Sequence, residues 1–346
     1  MGHNRIMNVE RSQAMAKVAI NGMGRIGRAA LKIIMEHSEF ELVAVNDLMD
    51  LDNLVYLLNY DTVYGRYRHR VKMSGDALEV AGKTIKYLSV KDPAQLPWKD
   101  LGVEIVFECT GLFTQAEGLQ KHLAAGAKYA LLSAPPKGAD VCCIVHGVTR
   151  PGADERLISC ASCTTNCITP VVEIMGRRIG IKKAVMTTIH AYTSSQAIVD
   201  GPNKKWRRGR AGAANLVPTS TGAAVATTNA LPQYQGKFDG VAVRCPVPSG
   251  SLADLVFVTE RPTTVEEINR IFKEESQSQR YQEILEYAED PIVSTDIIAN
   301  PHASIFDPSM TQVVDGDLVK IMSWYDNEWG YTNQMIREGL RIAREG

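Results

Sequence analysis

The sequence predicts an α/β protein in two parts, a doubly wound, largely parallel sheet followed by an α+β part on a largely antiparallel sheet. Strand-like and helix-like segments alternate through the first half, and a glycine-rich turn joins the first strand to the first helix. After Cys163 the texture changes to long strand-like runs separated by loops rich in Gly, Pro and Lys/Arg.

Length and composition set the bounds. The chain has 346 residues, 45% of them hydrophobic, enough for two domains with their own cores. Its 38 Lys+Arg against 39 Asp+Glu leave a formal net charge of -1, so no overall field favours nucleic acid or an anionic membrane as partner. Seven cysteines, an odd number spread over a long chain, do not form the pattern of a secreted disulfide framework, and no apolar run approaches the roughly 20 residues of a membrane span. The expectation is a cytoplasmic protein in a reducing compartment, acting on small molecules. Residues 1–16 lack the continuous apolar segment of a secretory signal and are expected to be a disordered or artificial extension, a weak targeting segment being the other reading.

Taken in order, Lys17–Asn21 reads as the first strand, Arg25–Glu36 as an amphipathic helix, Glu41–Asn46 as the second strand and Glu104–Glu108 as a later one. Ala116–Ala124 is helix-like and Tyr129–Ser133 strand-like, completing a nucleotide-binding half over residues 17–162. Residues 163–327 are expected to form the second part, with Ala184–His190 and Leu252–Thr259 among its strands. Tyr331–Ala343 is apolar-periodic, so residues 328–346 are expected to be a helix returning to the first part. No internal repeat or low-complexity tract interrupts this pattern.

Gly22, Gly24 and Gly27 form G-x-G-x-x-G directly after the first strand and ahead of the helix. Glycine permits the tight turn and the close backbone approach, and the helix N-terminus faces an anion, which is the chemistry of a pyrophosphate site. A second strand ends at Asp47, about twenty residues beyond Gly27, where a carboxylate accepts hydrogen bonds from ribose hydroxyls. It would also repel a 2′-phosphate, so NAD is expected over NADP.

Cys163 sits where a strand end runs into the helix-like segment Ile168–Ile179, and a thiol at a helix N-terminus has its thiolate favoured by free N–H groups and the helix dipole. His190 ends an apolar run and is the natural general base for it. Cys160-x-x-Cys163 also fits a dithiol redox centre or half of a metal site, and each cysteine taken alone reads as a buried structural residue. No second C-x-x-C or close His cluster supplies the remaining ligands, so no metal is expected.

Ser162-Cys163-Thr164-Thr165-Asn166-Cys167 resembles the active-site motif of glyceraldehyde-3-phosphate dehydrogenases. The resemblance extends through Asn21–Arg28, Ala44–Asp47, Thr110-Gly111, His190–Thr193, Pro218–Ala223, Arg244 and Trp324–Gly330, nearly the whole chain from Lys17 onward. It implies a Rossmann-type NAD-binding domain and a catalytic domain, with Cys163 as nucleophile and His190 as base. It implies NAD held by Asn21, Gly22, Gly24, Arg25, Ile26, Gly27, Asp47, Thr110, Gly111 and Ser133, with Asn333 reaching the nicotinamide carboxamide. Thr193 and Arg244 would hold the phosphate of glyceraldehyde 3-phosphate, and Ser162, Thr164, Thr221, Gly222 and Arg208 inorganic phosphate. Apart from the resemblance, Ser162 and Thr164 read equally well as helix-capping hydroxyls.

The basic run Lys204–Arg210, with Trp206 inside it, matches the family's long loop beside the cofactor site of a neighbouring subunit, which implies a homotetramer; Pro202 resembles the residue of NAD-preferring members. Ser195 stands where many members carry Asp, Val247 replaces a common Thr, and Ser249-Gly250 a common Asn-Val, which bears on substrate choice. The implied activity is oxidative phosphorylation of glyceraldehyde 3-phosphate. The alternatives are a paralogue acting on erythrose 4-phosphate and a non-catalytic NAD-binding scaffold that binds RNA through Lys204–Arg210.

Overall fold

The computed structural model describes residues 15–345; residues 1–14, most of the expected extension, and Gly346 lie outside the described residues. Ala16 is already part of the first strand, its N–H donating to the Glu39 carbonyl at 2.9 Å, so regular structure starts one residue earlier than the sequence suggests.

β1 (Ala16–Asn21) is buried on both faces, with Val18, Ala19 and Ile20 fully inaccessible, as a central parallel strand must be. α1 (Arg25–Ile34) buries Ala30, Leu31 and Ile34 against it and stops two residues short of Glu36, because the N–H groups of Glu36 and His37 turn back to the carbonyls of Ile33 and Ile34. β2 (Phe40–Asn46) pairs parallel to β1. Between Asp47 and Glu104 the chain builds structure that no sustained periodicity announces: α2 (Leu51–Asn59), the hairpin β3 (Tyr60–Asp61) and β4 (Gly65–Arg66), and the antiparallel ribbon β5 (Lys72–Ser74), β6 (Ala77–Val80) and β7 (Lys83–Leu88). Its apolar anchors are Leu54, Leu58, Val71, Leu78 and Ile85.

α3 (Trp98–Leu101), β8 (Ile105–Glu108), α4 (Ala116–Ala124), β9 (Tyr129–Leu132), β10 (Cys142–Cys143) and β11 (Leu157–Ser159) complete a nine-stranded sheet in the order β10-β11-β9-β8-β1-β2-β7-β6-β5. It is parallel from β10 to β7, and only the pairings β7–β6 and β6–β5 are antiparallel. β1 lies between β2 and β8, so the winding reverses there and a crevice opens at the carboxyl ends of these strands.

The second sheet follows α5 (Cys163–Arg178). It consists of β12 (Ile181–Ala191), β13 (Val217–Ser220), β14 (Phe238–Cys245), β15 (Ser251–Thr259), β16 (Leu285–Tyr287), β17 (Ser304–Val314) and β18 (Leu318–Tyr325), with α6 (Ala223–Ala230) and α7 (Val265–Ser276) interspersed. The order is β13-β14-β12-β15-β18-β17-β16, antiparallel except for β12–β14 and β16–β17. β15 alternates, with Ala253, Leu255 and Phe257 fully buried beneath Cys167, Ile168, Val171 and Met175 of α5. The expected mixture of a doubly wound parallel sheet and a largely antiparallel α+β sheet is what the chain forms.

α8 (Trp329–Glu345) packs Tyr331, Met335, Ile336 and Leu340 into the core of the first sheet. A Cβ at Gly339 would lie 2.8 Å from Phe107, so only glycine lets the helix come this close. Cys163 packs against both cores, which puts the first residue of α5 at their junction.

Candidate active site

At the switch point, a crevice of about 790 Å³ is lined by Asn21, Gly22, Gly24, Asn46, Asp47 and Thr110, among others. Gly22 has φ +95°, and a Cβ there would meet the Thr110 nitrogen at 2.6 Å; a Cβ on Gly27 would lie 1.9 Å from the Gly22 carbonyl oxygen. These two glycines therefore close the turn and seat α1 on it. Gly24 is different: no atom lies within 4 Å of its Cβ position, and it caps α1 with no side-chain hydrogen bond. The bare helix N-terminus is a cradle for a diphosphate.

Asp47 accepts from Met23 N–H at 2.6 Å with one carboxylate oxygen and from Met49 N–H at 3.0 Å with the other, leaving lone pairs on both for ribose hydroxyls. This donor and acceptor set fits NAD. Gly111 has φ +70°, next to Thr110 on the crevice rim; Ser133 follows β9 directly, its N–H donating to the Glu108 carbonyl at 3.0 Å; Ile26 packs partly into the core beneath. Arg25 lies at the start of α1, but its guanidinium is committed elsewhere. It pairs with Asp61 at 2.6 Å and with Glu328 at 2.5 Å, and lies over the Tyr64 ring, so it ties α1 to the segment leading into α8.

The candidate nucleophile is placed by its own loop. Ala161 holds φ +55°, a left-handed conformation costly for a residue with a Cβ. It is fixed there by Tyr331 hydroxyl donating to its carbonyl at 3.2 Å and by its N–H donating to Ser159 Oγ at 3.1 Å. Asn166 Nδ2 reaches back to the carbonyls of Cys160 and Ser162 at 2.8 and 2.9 Å. Ser162 is the N-cap, its Oγ accepting from Thr165 N–H at 3.1 Å, and Cys163 is the first residue of α5, five residues before the helix-like segment the sequence shows. Cys163 Sγ lies 3.4 Å from His190 Nε2, which sequence alone does not reveal.

His190 is oriented from the other side. Its Nδ1 lies 2.7 Å from the Ala191 carbonyl oxygen; the tautomer that gives its Nδ1 proton to that oxygen leaves the Nε2 lone pair toward the thiol. Register brings Arg244 on β14 beside His190 on β12, with Nη1 2.8 Å from Nδ1 and donating to the Ala191 carbonyl at 3.0 Å. The Tyr325 ring meets the imidazole edge-on, while its hydroxyl bridges Thr164 and Thr188 at 2.8 Å each. Burial, reinforced by the Arg244 guanidinium, pushes His190 down to about 3, so the imidazole is neutral and free to take a proton. Burial pushes the Cys163 thiol up; the Arg244 guanidinium and the N–H and hydroxyl of Thr164 pull it back.

The remaining candidates form a polar cluster. Thr193 Oγ1 meets Ser195 Oγ at 2.9 Å; Arg208 donates to Thr219 Oγ1 at 3.0 Å and to Ser195 Oγ at 3.4 Å. Thr221 Oγ1 accepts from Ala223 N–H at 3.2 Å, and Gly222 is the N-cap of α6. Of the two hydroxyls open to a capping role, Ser162 caps α5 and Thr164 turns inward to Tyr325. Arg244 is half-buried, and its inaccessible Nε is unpartnered.

Asn333 lies away from the cofactor crevice. Asn333 donates to the Trp329 carbonyl of its own helix at 2.9 Å and faces a separate cleft lined by His146, Arg337 and Glu338, not the cofactor crevice. A helix advances 100° per residue, and position 333 falls on the wrong face. Asn327 is buried, its Oδ1 accepting from Ser251 Oγ at 2.9 Å, while that Oγ accepts from Ala191 N–H at 3.1 Å.

The departures also find places. Ser249 Oγ donates to Asp326 at 3.1 Å; Val247 only pairs its backbone with Tyr192 and Cys245; Gly250 has φ +88° and a Cβ there would lie 2.4 Å from the Ser294 carbonyl oxygen, so a larger residue requires a different loop. Among the described residues, no helix is long and apolar enough to cross a membrane, and no cluster of His, Cys, Asp and Glu suited to a metal occurs.

Comparison with known proteins is consistent with this geometry. Residues 16–116 match the family described as glyceraldehyde 3-phosphate dehydrogenase, NAD binding domain, and residues 162–327 the corresponding C-terminal domain. The chain is 48% identical over 324 residues to a glyceraldehyde-3-phosphate dehydrogenase of Streptomyces coelicolor, covering 92% of this chain and 96% of the relative. It is 46% identical over 337 residues to that of Clostridium acetobutylicum, covering 95% and 99%, and 45% identical over 333 residues to glyceraldehyde-3-phosphate dehydrogenase 1 of Bacillus subtilis, covering 95% and 99%.

Proposed function

The chain belongs to the glyceraldehyde-3-phosphate dehydrogenase family and is an NAD-dependent enzyme of glycolytic type, and on that premise we propose that it works through a thioester on Cys163 that inorganic phosphate cleaves. The observation that carries the reading is the 3.4 Å approach of Cys163 Sγ, at the first turn of α5, to Nε2 of a neutral, buried His190.

His190 Nε2 takes the thiol proton, the sulfur adds to the aldehyde carbon of glyceraldehyde 3-phosphate to form a C–S bond, and the proton passes from Nε2 to the former carbonyl oxygen, giving a hemithioacetal hydroxyl and a neutral imidazole. Arg244 and Thr193 hold the phosphate of the substrate and so fix the aldehyde over Sγ. Asn21, Gly22, Gly24, Asp47, Thr110 and Gly111 would hold NAD, which when bound would supply the acceptor for the hydride of this carbon. His190 then receives the hydroxyl proton, and an acyl thioester remains on Cys163. Ser162, Thr164, Thr221, Gly222 and Arg208 gather inorganic phosphate, an oxygen of which attacks the thioester carbonyl; the C–S bond breaks, and 1,3-bisphosphoglycerate leaves with the thiolate restored.

A homotetramer in the cytoplasm completes the reading. The long loop and the outer face of the second sheet carry solvent-exposed Ile198, Val199, Trp206, Leu216 and Val241, a cover of apolar side chains suited to a second copy of the chain.

Cys163→Ser is expected to abolish NADH formation while NAD binding, followed by quenching of protein fluorescence, survives; normal turnover would overturn the mechanism. His190→Asn is expected to slow iodoacetamide labelling of Cys163 at neutral pH and to move its pH profile to the alkaline side. A profile that does not move would remove His190 as the base.

A further inference from the structure

Beneath the rim of the cofactor crevice lies a buried polar chain that the proposed chemistry leaves unused. Glu108, at the end of β8, is fully inaccessible, and four donors converge on its carboxylate. Oε1 accepts from the N–H of Thr110 at 2.8 Å and from the Thr110 hydroxyl. Oε2 accepts from Asn21 Nδ2 at 2.6 Å and meets His122 Nε2 at 3.0 Å.

The protonation of His122, also fully buried, follows from its other neighbour. Trp98 Nε1 lies 3.0 Å from His122 Nδ1, and an indole only donates, so Nδ1 is the acceptor and Nε2 carries the proton given to Glu108. On the far side, Asn46 Nδ2 donates to Asn21 Oδ1 at 2.7 Å, and Asn46 Oδ1 accepts from Val90 N–H at 2.9 Å. The chain thus runs Trp98–His122–Glu108–Asn21–Asn46–Val90, joining α3, α4, β8, β1, β2 and the loop after β7. Asn21, Asn46, Val90 and Thr110 are the members that line the crevice.

We propose that Glu108 is a positioning residue for the cofactor: its carboxylate, oriented by His122 and Trp98, holds Asn21 and Thr110 in the geometry that receives NAD. The proposal rests on the crevice being the NAD site. Apolar residues could fill this space at lower desolvation cost. What a carboxylate adds is four fixed acceptor directions, two for Thr110 after β8, one for Asn21 on β1 and one for His122 on α4. Gly22 depends on the same seam, since its Cα hydrogens face the Thr110 nitrogen with no room for a Cβ.

The test is Glu108→Gln. Glutamine keeps the shape but turns an NH₂ toward one pair of donors, either Thr110 or Asn21 with His122, and that pair loses its acceptor. The expected result is a rise of about tenfold in both the Kd and the KM for NAD, with less than about threefold change in kcat at saturating NAD and no change in the KM for glyceraldehyde 3-phosphate. Unchanged NAD affinity in a folded Glu108→Gln protein, whatever its thermal midpoint, would overturn the proposal. Should that variant not fold, the pair His122→Ala and His122→Gln decides. Glutamine can still donate to Glu108 and accept from Trp98, so NAD affinity should be near wild type in His122→Gln and severalfold weaker in His122→Ala; equal affinities would overturn it. Failure of the wild-type protein to bind NAD would instead strike the assignment of the crevice.

Discussion

At the residue scale, burial explains both halves of the reactive pair. The titration of His190 is moved from 6.5 to about 3, so between these values the unfolded chain binds a proton that the folded chain refuses. Stability therefore falls as pH falls through this window, by at most about 1.4 kcal/mol per pH unit from this one group. The expected outcome is that His190→Asn unfolds in urea with a shallower loss of stability from pH 6.5 to 5 than wild type; parallel curves would contradict the assigned burial. Cys163, His190 and Asp47 were legible because each sits at the end of a recognisable element. Their contacts were not, since the Cys163–His190 meeting is made by a helix and a strand folding back on each other 27 residues apart.

At the scale of elements, the glycine turn does the positioning for α1, and it has no slack. Gly27→Ala would place a Cβ 1.9 Å from the Gly22 carbonyl oxygen, forcing α1 off β1. We expect a loss of about 2–4 kcal/mol in stability and at least tenfold in NAD affinity, read by urea unfolding and by titration. An Ala variant with wild-type NAD affinity would show that α1 does not bear on the cofactor. The strands β1, β2, β8 and β9 and the helices α1, α4 and α8 could be read from periodicity, because each has a continuous buried stripe. The ribbon β5–β7 could not: β5 is exposed throughout, β6 is only four residues long, and in β7 only Ile85 is buried. α5 begins five residues before its apolar stretch because its first turn, Cys163–Asn166, is polar and held by Ser162 and Asn166 and not by packing alone.

At the scale of the whole molecule, the two sheets meet where α5 starts, and the return of α8 to the first core keeps the junction closed. The Arg25 pairs with Asp61 and Glu328 brace the same junction at the surface. The outer face of the second sheet is where the chain is expected to meet its copies. Val241→Asp places a charge on that face without entering the core, so sedimentation should shift from a tetramer toward smaller species with circular dichroism unchanged; an unmoved tetramer would place the interface elsewhere. The central claim, that a Cys163 thioester is cleaved by phosphate, is tested most directly by following NADH formation from purified protein with glyceraldehyde 3-phosphate and NAD, with and without inorganic phosphate. Sustained turnover only when phosphate is present, with a single burst of about one NADH per active site when it is absent, is the predicted result. Sustained turnover at the same rate without phosphate would contradict it.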